Sequence, residues 1–355
     1  MKIGYINPTY LLRRPLVELA NHFEGTVIVP RPIFKKENNP WHNKLTCKVV
    51  SYPTIKIPFI QFNWPIPITP KFFIEMYKLF RDNDAVHMWT FFYISSWFAM
   101  FLKYLFPKTN LIMSCDTLPA ISFKDGWADY LFKIYYKLFG WTFAIPDVIH
   151  AYTWKMAHIL QRNVVHQRTI INPIPTGIDV QKFDKVKRDR GFKDKIYVTF
   201  AGEITPRKGV DRYIKTTKNL GLPFYFTSFG DGPDFNKHKG NSKKVIMHKW
   251  ADDLPQVLKN SDVCILLSRG EGLPGILMEA MACKLPIIAT DITGNNDLVE
   301  HGKTGFLIKQ PEDVKVYLDV LKDPVLRKEL GKEGYKKIKK YDWKHLWKEY
   351  EVMYK

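Results

Sequence analysis

The chain has 355 residues, 46% of them hydrophobic and 25% charged. This excludes a disordered segment and exceeds one typical core, so two domains are expected. Lysine and arginine total 54 against 35 acids, a formal net charge of +19. That excess favours nucleic acid, an anionic membrane surface or phosphorylated substrates as partners, or else a solvated lysine-rich surface. Cys47, Cys115, Cys264 and Cys283 are scattered without paired spacing. The pattern argues against a zinc site or disulfide framework and fits a reducing cytoplasm.

The opening MKIGYINPTY reads as a strand over 2–6 and a loop, not as a signal peptide. Residues 14–22 have helical spacing at Leu16, Leu19 and Phe23, and 25–30 form a second strand. The alternation predicts parallel α/β units. Residues 52–70 carry Pro53, Pro58, Pro65, Pro67 and Pro70 among Phe59, Phe62 and Trp64. No regular helix runs there, and the stretch reads as a surface loop or an acceptor-binding excursion. A helix over 71–81 and a strand over 84–89 follow. The apolar run to Phe106 contains Ser95, Ser96 and Lys103 and is short for a bilayer span, so it reads as a buried helix. Residues 111–115 are another strand.

Residues 126–142, GWADYLFKIYYKLFGWT, set rings and lysines at helical spacing. They read either as a helix lying on a membrane surface or as a core helix with lysines reaching outward. Strands over 147–152 and 170–174 close the first series. The charged segment 184–195, DKVKRDRGFKDK, is the linker candidate.

A second α/β series follows, with strands over 196–201, 224–229, 245–248, 263–267, 286–289 and 306–308. Its most informative stretch is SRGEGLPGILMEAMACK at 268–284. A buried-strand pattern leads into a tight loop holding Glu271, then a helix holding Glu279. Open amides at such a helix start make an anion site. Taken alone, the two acids are equally open to a glycosidase acid/base couple. The last helix, 343–354, follows a break at Tyr341-Asp342, and Trp343, Trp347 and Tyr350 give it one face for burial.

Read together, IPTGID at 174–179, FAGEITPRKG at 200–209, FGDGP at 229–233 and the 268–308 segment resemble the retaining glycosyltransferases of family 4. The resemblance covers the C-terminal half; the first half matches in strand rhythm and in VHMW at 86–89. It implies an α/β GT-B fold of two facing Rossmann-like domains. These would be an acceptor-binding domain over 1–185 and a nucleotide-sugar domain over 195–340, with a helix over 341–355 crossing back to the first. It implies retaining transfer of a hexose from a UDP- or GDP-sugar to an acceptor hydroxyl, by front-side displacement assisted by the leaving phosphate, with no metal or other cofactor.

The same resemblance implies that Lys208, with Arg207 beside it, holds the phosphates, joined by the amides around Leu273, Pro274, Gly275 and Ile276. Gly230 belongs to the glycine loop of the donor site. Glu279 takes the ribose hydroxyls and Glu271 lies by the donor sugar. Glu271, Lys208 and Asp116 are the catalytic candidates. The chain departs from the family in three places. Glu203 stands where an arginine is usual, so that either Arg207 supplies the charge or phosphate binding is weaker. The first loop reads NPTYLLRRP instead of paired glycines, so Arg13 and Arg14 either contact phosphate or are surface arginines. Ser114-Cys115-Asp116 stands where a histidine is usual, leaving Asp116 to bond the sugar or acceptor. His87 fits a strand end, as either a site residue or a structural one.

The basic, aromatic first half points to a lipid-linked or membrane-bound glycan acceptor on the cytoplasmic face. Rival readings are a hydrolase, which leaves Lys208 and the helix start unexplained, and a nucleotide-sugar epimerase of the same fold. The net charge also admits a nucleic-acid-binding protein, but no helix-turn-helix, zinc or aromatic RNA-binding motif supports it, and nucleic acid is not an expected partner. No glycine-rich fingerprint follows the first strand, which disfavours a dinucleotide oxidoreductase.

Overall fold

The computed structural model describes residues 1–10, 12–32, 44–56, 64–121, 128–164, 169–189, 194–218, 220, 223–239 and 244–355. It divides into two compact units. Unit 1 is Met1–Leu118, Tyr130–Ile174 and Trp347–Lys355; unit 2 is Pro119–Asp129 and Pro175–Leu346. The charged stretch 184–195 thus falls inside unit 2, and its residues 190–193 lie outside the described residues.

Unit 1 carries strands Ile3–Ile6 (β1), Thr26–Pro32 (β2), Lys48–Lys56 (β3), Pro65–Pro67 (β4), Ala85–Trp89 (β5), Asn110–Ser114 (β6), Val148–Ala151 (β7) and Ile170–Pro173 (β8). Its helices are Arg14–His22 (α1), Pro70–Asp82 (α2), Ile94–Leu105 (α3), Ala128–Phe139 (α4) and Trp154–Asn163 (α5). The sheet order is β4-β3-β2-β1-β5-β6-β7-β8, parallel except for β3 with β4. Strands such as β1 and β5 are buried along their whole length, because helices cover both faces of a parallel sheet and leave no wet side to alternate toward.

Two expectations change here. The proline-rich stretch is not one irregular loop: it opens within β3, includes β4, paired antiparallel to β3 through Ile55 and Ile66, and reaches the first residue of α2 at Pro70. Proline excludes a helix but is tolerated in an edge strand such as β4. Residues 57–63, with Pro58, Phe59 and Phe62, lie outside the described residues. The apolar α3 is not fully buried either. Ala99, Met100 and Leu102 face the core, whereas Phe101, Tyr104 and Leu105 are exposed.

His87 sits mid-strand in β5 rather than at a strand end, fully buried within a polar chain. His150 Nε2 lies 2.7 Å from the Ile174 carbonyl, which can only accept. The proton is therefore on Nε2, and His150 Nδ1 accepts from Ser114 Oγ at 2.6 Å. Ser114 Oγ in turn accepts from His87 Nε2 at 2.7 Å, and His87 Nδ1 accepts from the Tyr354 hydroxyl at 2.8 Å. Every proton in the chain is assigned by the one carbonyl at its end. The last partner stands on Trp343–Tyr354 (α14), whose residues from Trp347 onward belong to unit 1. There Trp347 stacks on His22 at 3.7 Å, and Tyr350, Met353 and Tyr354 are buried.

Unit 2 carries strands Ile196–Ala201 (β9), Phe224–Phe229 (β10), Val245–His248 (β11), Val263–Leu266 (β12), Ile287–Thr290 (β13) and Gly305–Ile308 (β14). Its helices are Val180–Asp184 (α6), Val210–Thr217 (α7), Phe235–Lys239 (α8), Leu254–Lys259 (α9), Gly275–Ala282 (α10), Asn295–Leu298 (α11), Val314–Val320 (α12) and Pro324–Ile338 (α13). The sheet is parallel throughout in the order β11-β10-β9-β12-β13-β14. Strand order therefore reverses between β9 and β12. An open α/β sheet has a crevice at such a point, beyond the carboxyl ends of the two strands.

Burial lowers the His150 pKa from the ordinary 6.5 to about 4, with the Ile174 bond opposing, and burial with the neighbouring His150 lowers His87 too. The unfolded chain takes up these protons near 6.5 and the folded chain does not until well below it. Their contribution to stability is thus complete above pH 6.5 and is lost as pH falls from there toward 4. Denaturant titrations across that range should show this decline. Ser114→Ala orphans two buried imidazole nitrogens and should cost about 2–4 kcal/mol at neutral pH by the same measurement.

Candidate active site

Both strands flanking the reversal in unit 2 end in loops with charged residues. After β9 the chain runs through Gly202 and Glu203 to a short 3-10 turn, Pro206–Lys208, ending at Gly209. After β12 it runs through Ser268, Arg269 and Gly270 to Glu271. Gly209 has φ +74°, and a Cβ there would lie 2.0 Å from the Leu267 carbonyl oxygen. Only glycine allows both the left-handed conformation and this approach of the two loops. The loops are further joined by the Arg269 amide donating to the Arg207 carbonyl at 2.8 Å, and by the Arg269 guanidinium on both Asp211 oxygens at 2.9 and 2.7 Å.

The approach brings the sequence candidates together. Lys208 Nζ lies 2.8 Å from each Glu271 oxygen, and Arg207 is 3.8 Å from one of them while donating to the Gly270 carbonyl at 3.0 Å. Ser268 Oγ donates to Glu271 at 2.6 Å. Burial pushes the Glu271 carboxyl pKa up, the largest single influence. The Lys208 and Arg207 charges and the hydrogen bonds from Lys208 and Ser268 together outweigh it, and the net value falls below the ordinary range. Glu271 is therefore an anion, unsuited to donate a proton as a glycosidase acid does.

Beside it, α10 begins at Gly275 after Pro274, with no side-chain cap. The amides of Gly275 and Ile276 have no earlier turn to bond, so they are open to an anion. Leu273 is buried just before them, and Glu279 stands half-buried on the second turn of the same helix. Gly230 follows β10, and a Cβ there would lie 1.8 Å from the Gly202 carbonyl oxygen. A packing reason thus accounts for glycine at 230 whatever binds nearby. Its neighbour Phe229 stacks on His248 at 4.7 Å, at the ends of β10 and β11. Sequence reading passed over that pair, and only strand register reveals it.

Asp116 belongs to unit 1, just past β6. It is ion-paired with Arg13, so Arg13 is already engaged by a carboxylate. Around this pair the sheet order also reverses, between β1 and β5. The chain leaving β5 turns at Thr90, a buried β-branched residue at φ +68°. Such a conformation costs of order 1–3 kcal/mol and marks a place where packing over-determines the backbone. Trp89 Nε1 donates to the Tyr152 hydroxyl at 2.9 Å. Tyr93, whose hydroxyl pKa burial pushes up to about 12, lies close enough for Arg13 and Asp116 to act on it. Thr90, Tyr93 and Tyr152 carried no motif; their grouping follows from the sheet.

Residues 182–337 match the family model described as glycosyl transferases group 1. The UDP-Gal:alpha-D-GlcNAc-diphosphoundecaprenol alpha-1,3-galactosyltransferase of Escherichia coli is 32% identical over 171 residues, 42% of this chain and 44% of that protein. The chain thus matches less than half of that relative's length. An uncharacterized glycosyltransferase of Methanocaldococcus jannaschii is 28% identical over 349 residues, 90% of this chain and 86% of its own. Among solved structures, Anabaena HepE in complex with UDP and glucose superposes with a TM-score of 0.78 at 13% identity, covering 99% of both chains. Sucrose-phosphate synthase of Thermosynechococcus elongatus gives 0.79 at 16%, covering 99% and 98%. The fold shared with these is GT-B, with a parallel-sheet α/β unit in each half.

Removing the Lys208 ammonium leaves a buried carboxylate short of its main partner. Lys208→Met should lower the unfolding free energy by about 3–5 kcal/mol at neutral pH, and the double variant Lys208→Met/Glu271→Gln should recover part of that loss. Urea denaturation of the wild type and three variants, completing the cycle with Glu271→Gln, checks it.

Proposed function

Starting from residues 182–337 as a group 1 glycosyl transferase region, we propose that the protein moves a hexose, with retention, from a UDP- or GDP-sugar to a hydroxyl of a lipid-linked or membrane-associated glycan. The observation that carries this reading is the convergence of Lys208 and Arg207 with the start of α10 at the reversal of strand order in unit 2. Two cations and open helix amides fit a diphosphate, whose negative charge grows as the bond to the sugar breaks.

In the proposed complex Lys208 turns from Glu271 to the phosphates. Glu271, still held by Ser268 and facing Arg207, is left to bond the donor sugar, and Glu279 takes the ribose hydroxyls. The bond between C1 and the phosphate oxygen breaks with its electron pair going to that oxygen. The acceptor oxygen bonds C1 on the same face, and its proton passes to the departing phosphate oxygen. Lys208, Arg207 and the α10 amides supply the charge stabilisation, and no metal is part of the proposal. Asp116, as the partner of Arg13, is proposed to orient that arginine or a sugar hydroxyl rather than to act as an unrestrained base.

The substrates in the name of the Escherichia coli relative, a UDP-sugar and a diphosphoundecaprenol-linked acceptor, support a uridine nucleotide and a lipid-linked acceptor. The UDP complex of HepE supports the same nucleotide.

Calorimetric titration with UDP and GDP should show micromolar-range binding of one or both, and Lys208→Ala/Glu271→Gln should weaken it by roughly 100-fold, the scale of losing a charge-assisted contact to phosphate. The double variant avoids an orphaned carboxylate, so wild-type affinity in that folded protein would remove the assignment of Lys208.

A further inference from the structure

The outer surface of α2, α3 and α4 has no use in the donor chemistry. Rings join these helices side by side: Phe73 of α2 meets Phe98 of α3 at 5.0 Å, and Trp97 of α3 meets Phe139 of α4 at 4.9 Å. Those contacts use the inward and lateral faces. The outward faces are also apolar. Phe73 and Tyr77 on α2 are about half exposed, Phe101 and Leu105 on α3 somewhat more, and Tyr104 reaches 67%. On α4, Leu131, Ile134 and Leu138 form an exposed row at helical spacing, continued by Trp141 at 52%. A helix apolar on all sides is ordinarily buried on all sides, and here one side is open. Between α2 and α3 the surface dips into a groove of about 450 Å³ whose walls include Phe73, Tyr77, Phe101, Leu105, Lys78 and Arg81.

The charge on this face is mainly positive, with Asp129 the one acid of α4. Lys133 and Lys137 flank the α4 row with no acidic partner among the described residues. The twelve residues of α3 include no acid, and their one lysine, Lys103, is paired with Asp147 at 2.6 Å. The acids nearest the groove, Glu75 and Asp82, are each neutralised by a neighbour, Lys78 at 3.0 Å and Arg81 at 2.6 Å. Exposed rings and aliphatic chains flanked by unpaired lysines suit the boundary between headgroups and hydrocarbon. A second copy of the chain suits it poorly, because a two-fold contact through this face sets its unpaired lysines against each other. No helix among the described residues is long and apolar enough to cross a membrane, so the contact is one that lies on the bilayer.

We propose that the outward face of α2, α3 and α4 seats unit 1 on a bilayer bearing anionic headgroups, with hydrocarbon entering the α2–α3 groove. This deepens the reading of a membrane-associated acceptor, rests on it for its biological sense, and is tested without it.

The full-length protein is co-sedimented with phosphatidylcholine vesicles with and without phosphatidylglycerol, at low and high salt. Binding to the anionic vesicles, weakened by salt, is expected. Lys133→Glu/Lys137→Glu should weaken it roughly 10-fold or more, and Phe101→Ser/Leu105→Ser and Leu138→Ser/Trp141→Ser should each weaken it comparably. Val316→Ser/Val325→Ser, equally exposed in unit 2, should leave it unchanged. All these positions are exposed, and an unchanged thermal midpoint verifies folding. No vesicle binding by the wild type overturns the proposal, as does wild-type binding by the face variants, or self-association through this face without vesicle binding. UDP titration of the wild type separates the two readings: no vesicle binding with UDP binding intact removes only the surface, and vesicle binding without UDP binding removes only the donor site.

Discussion

One buried ion pair organises unit 2. Glu271 is nearly water-free, and a lone carboxylate there would be protonated. Lys208 at 2.8 Å from both oxygens keeps it charged, with Ser268 and Arg207 in support. Such a pair does little for net stability, because removing both ions from water costs about what their attraction returns. What it gains is position. It ties the loop after β9 to the loop after β12, across the reversal of strand order, and leaves an ammonium that an incoming phosphate can compete for. The glycine at 209 is the backbone condition for it, since any side chain there would hold the two loops apart.

Unit 1 repeats the topology with different chemistry. Its reversal lies between β1 and β5, and a cation–carboxylate pair again joins two loops, here Arg13 after β1 with Asp116 after β6. The strain absent from the glycine loops of unit 2 appears here at Thr90, where a β-branched residue is held at positive φ. Beneath it, the chain from Tyr354 through His87, Ser114 and His150 to the Ile174 carbonyl fastens the end of α14 to the sheet. A core this polar tolerates no missing member, because each nitrogen left without its partner carries the full desolvation cost. That explains why His87, plausible from sequence as a site residue, is a structural one.

Much of the fold was legible in the chain. The alternation of short apolar runs with helical spacing announced two parallel α/β series, and the strands of unit 2 fall within a residue or two of their expected bounds. Legibility failed where a residue type permits more than one structure. Proline excludes a helix but not an edge strand, so β3 and β4 were hidden in 52–70. Apolar composition says that α3 and α4 seek cover but not that a neighbouring helix covers only one side of each. The site followed the same division. Lys208 and Glu271 could be named from spacing within ordered motifs. Nothing local showed that they touch, that Arg13 is engaged by Asp116, or that Tyr93 and Tyr152 stand beside that pair.

The sequence by itself determined the layer architecture, the loop–helix signature holding Glu271 and Glu279, and the excess of positive charge. These depend on periodicity and residue type, which are local properties. Tertiary structure alone decided which charges neutralise each other, which histidines lie buried and neutral, and which apolar helix faces stay open. Each of those depends on what packs against a group from elsewhere in the chain, and desolvation and pairing are set by that neighbour rather than by the residue itself.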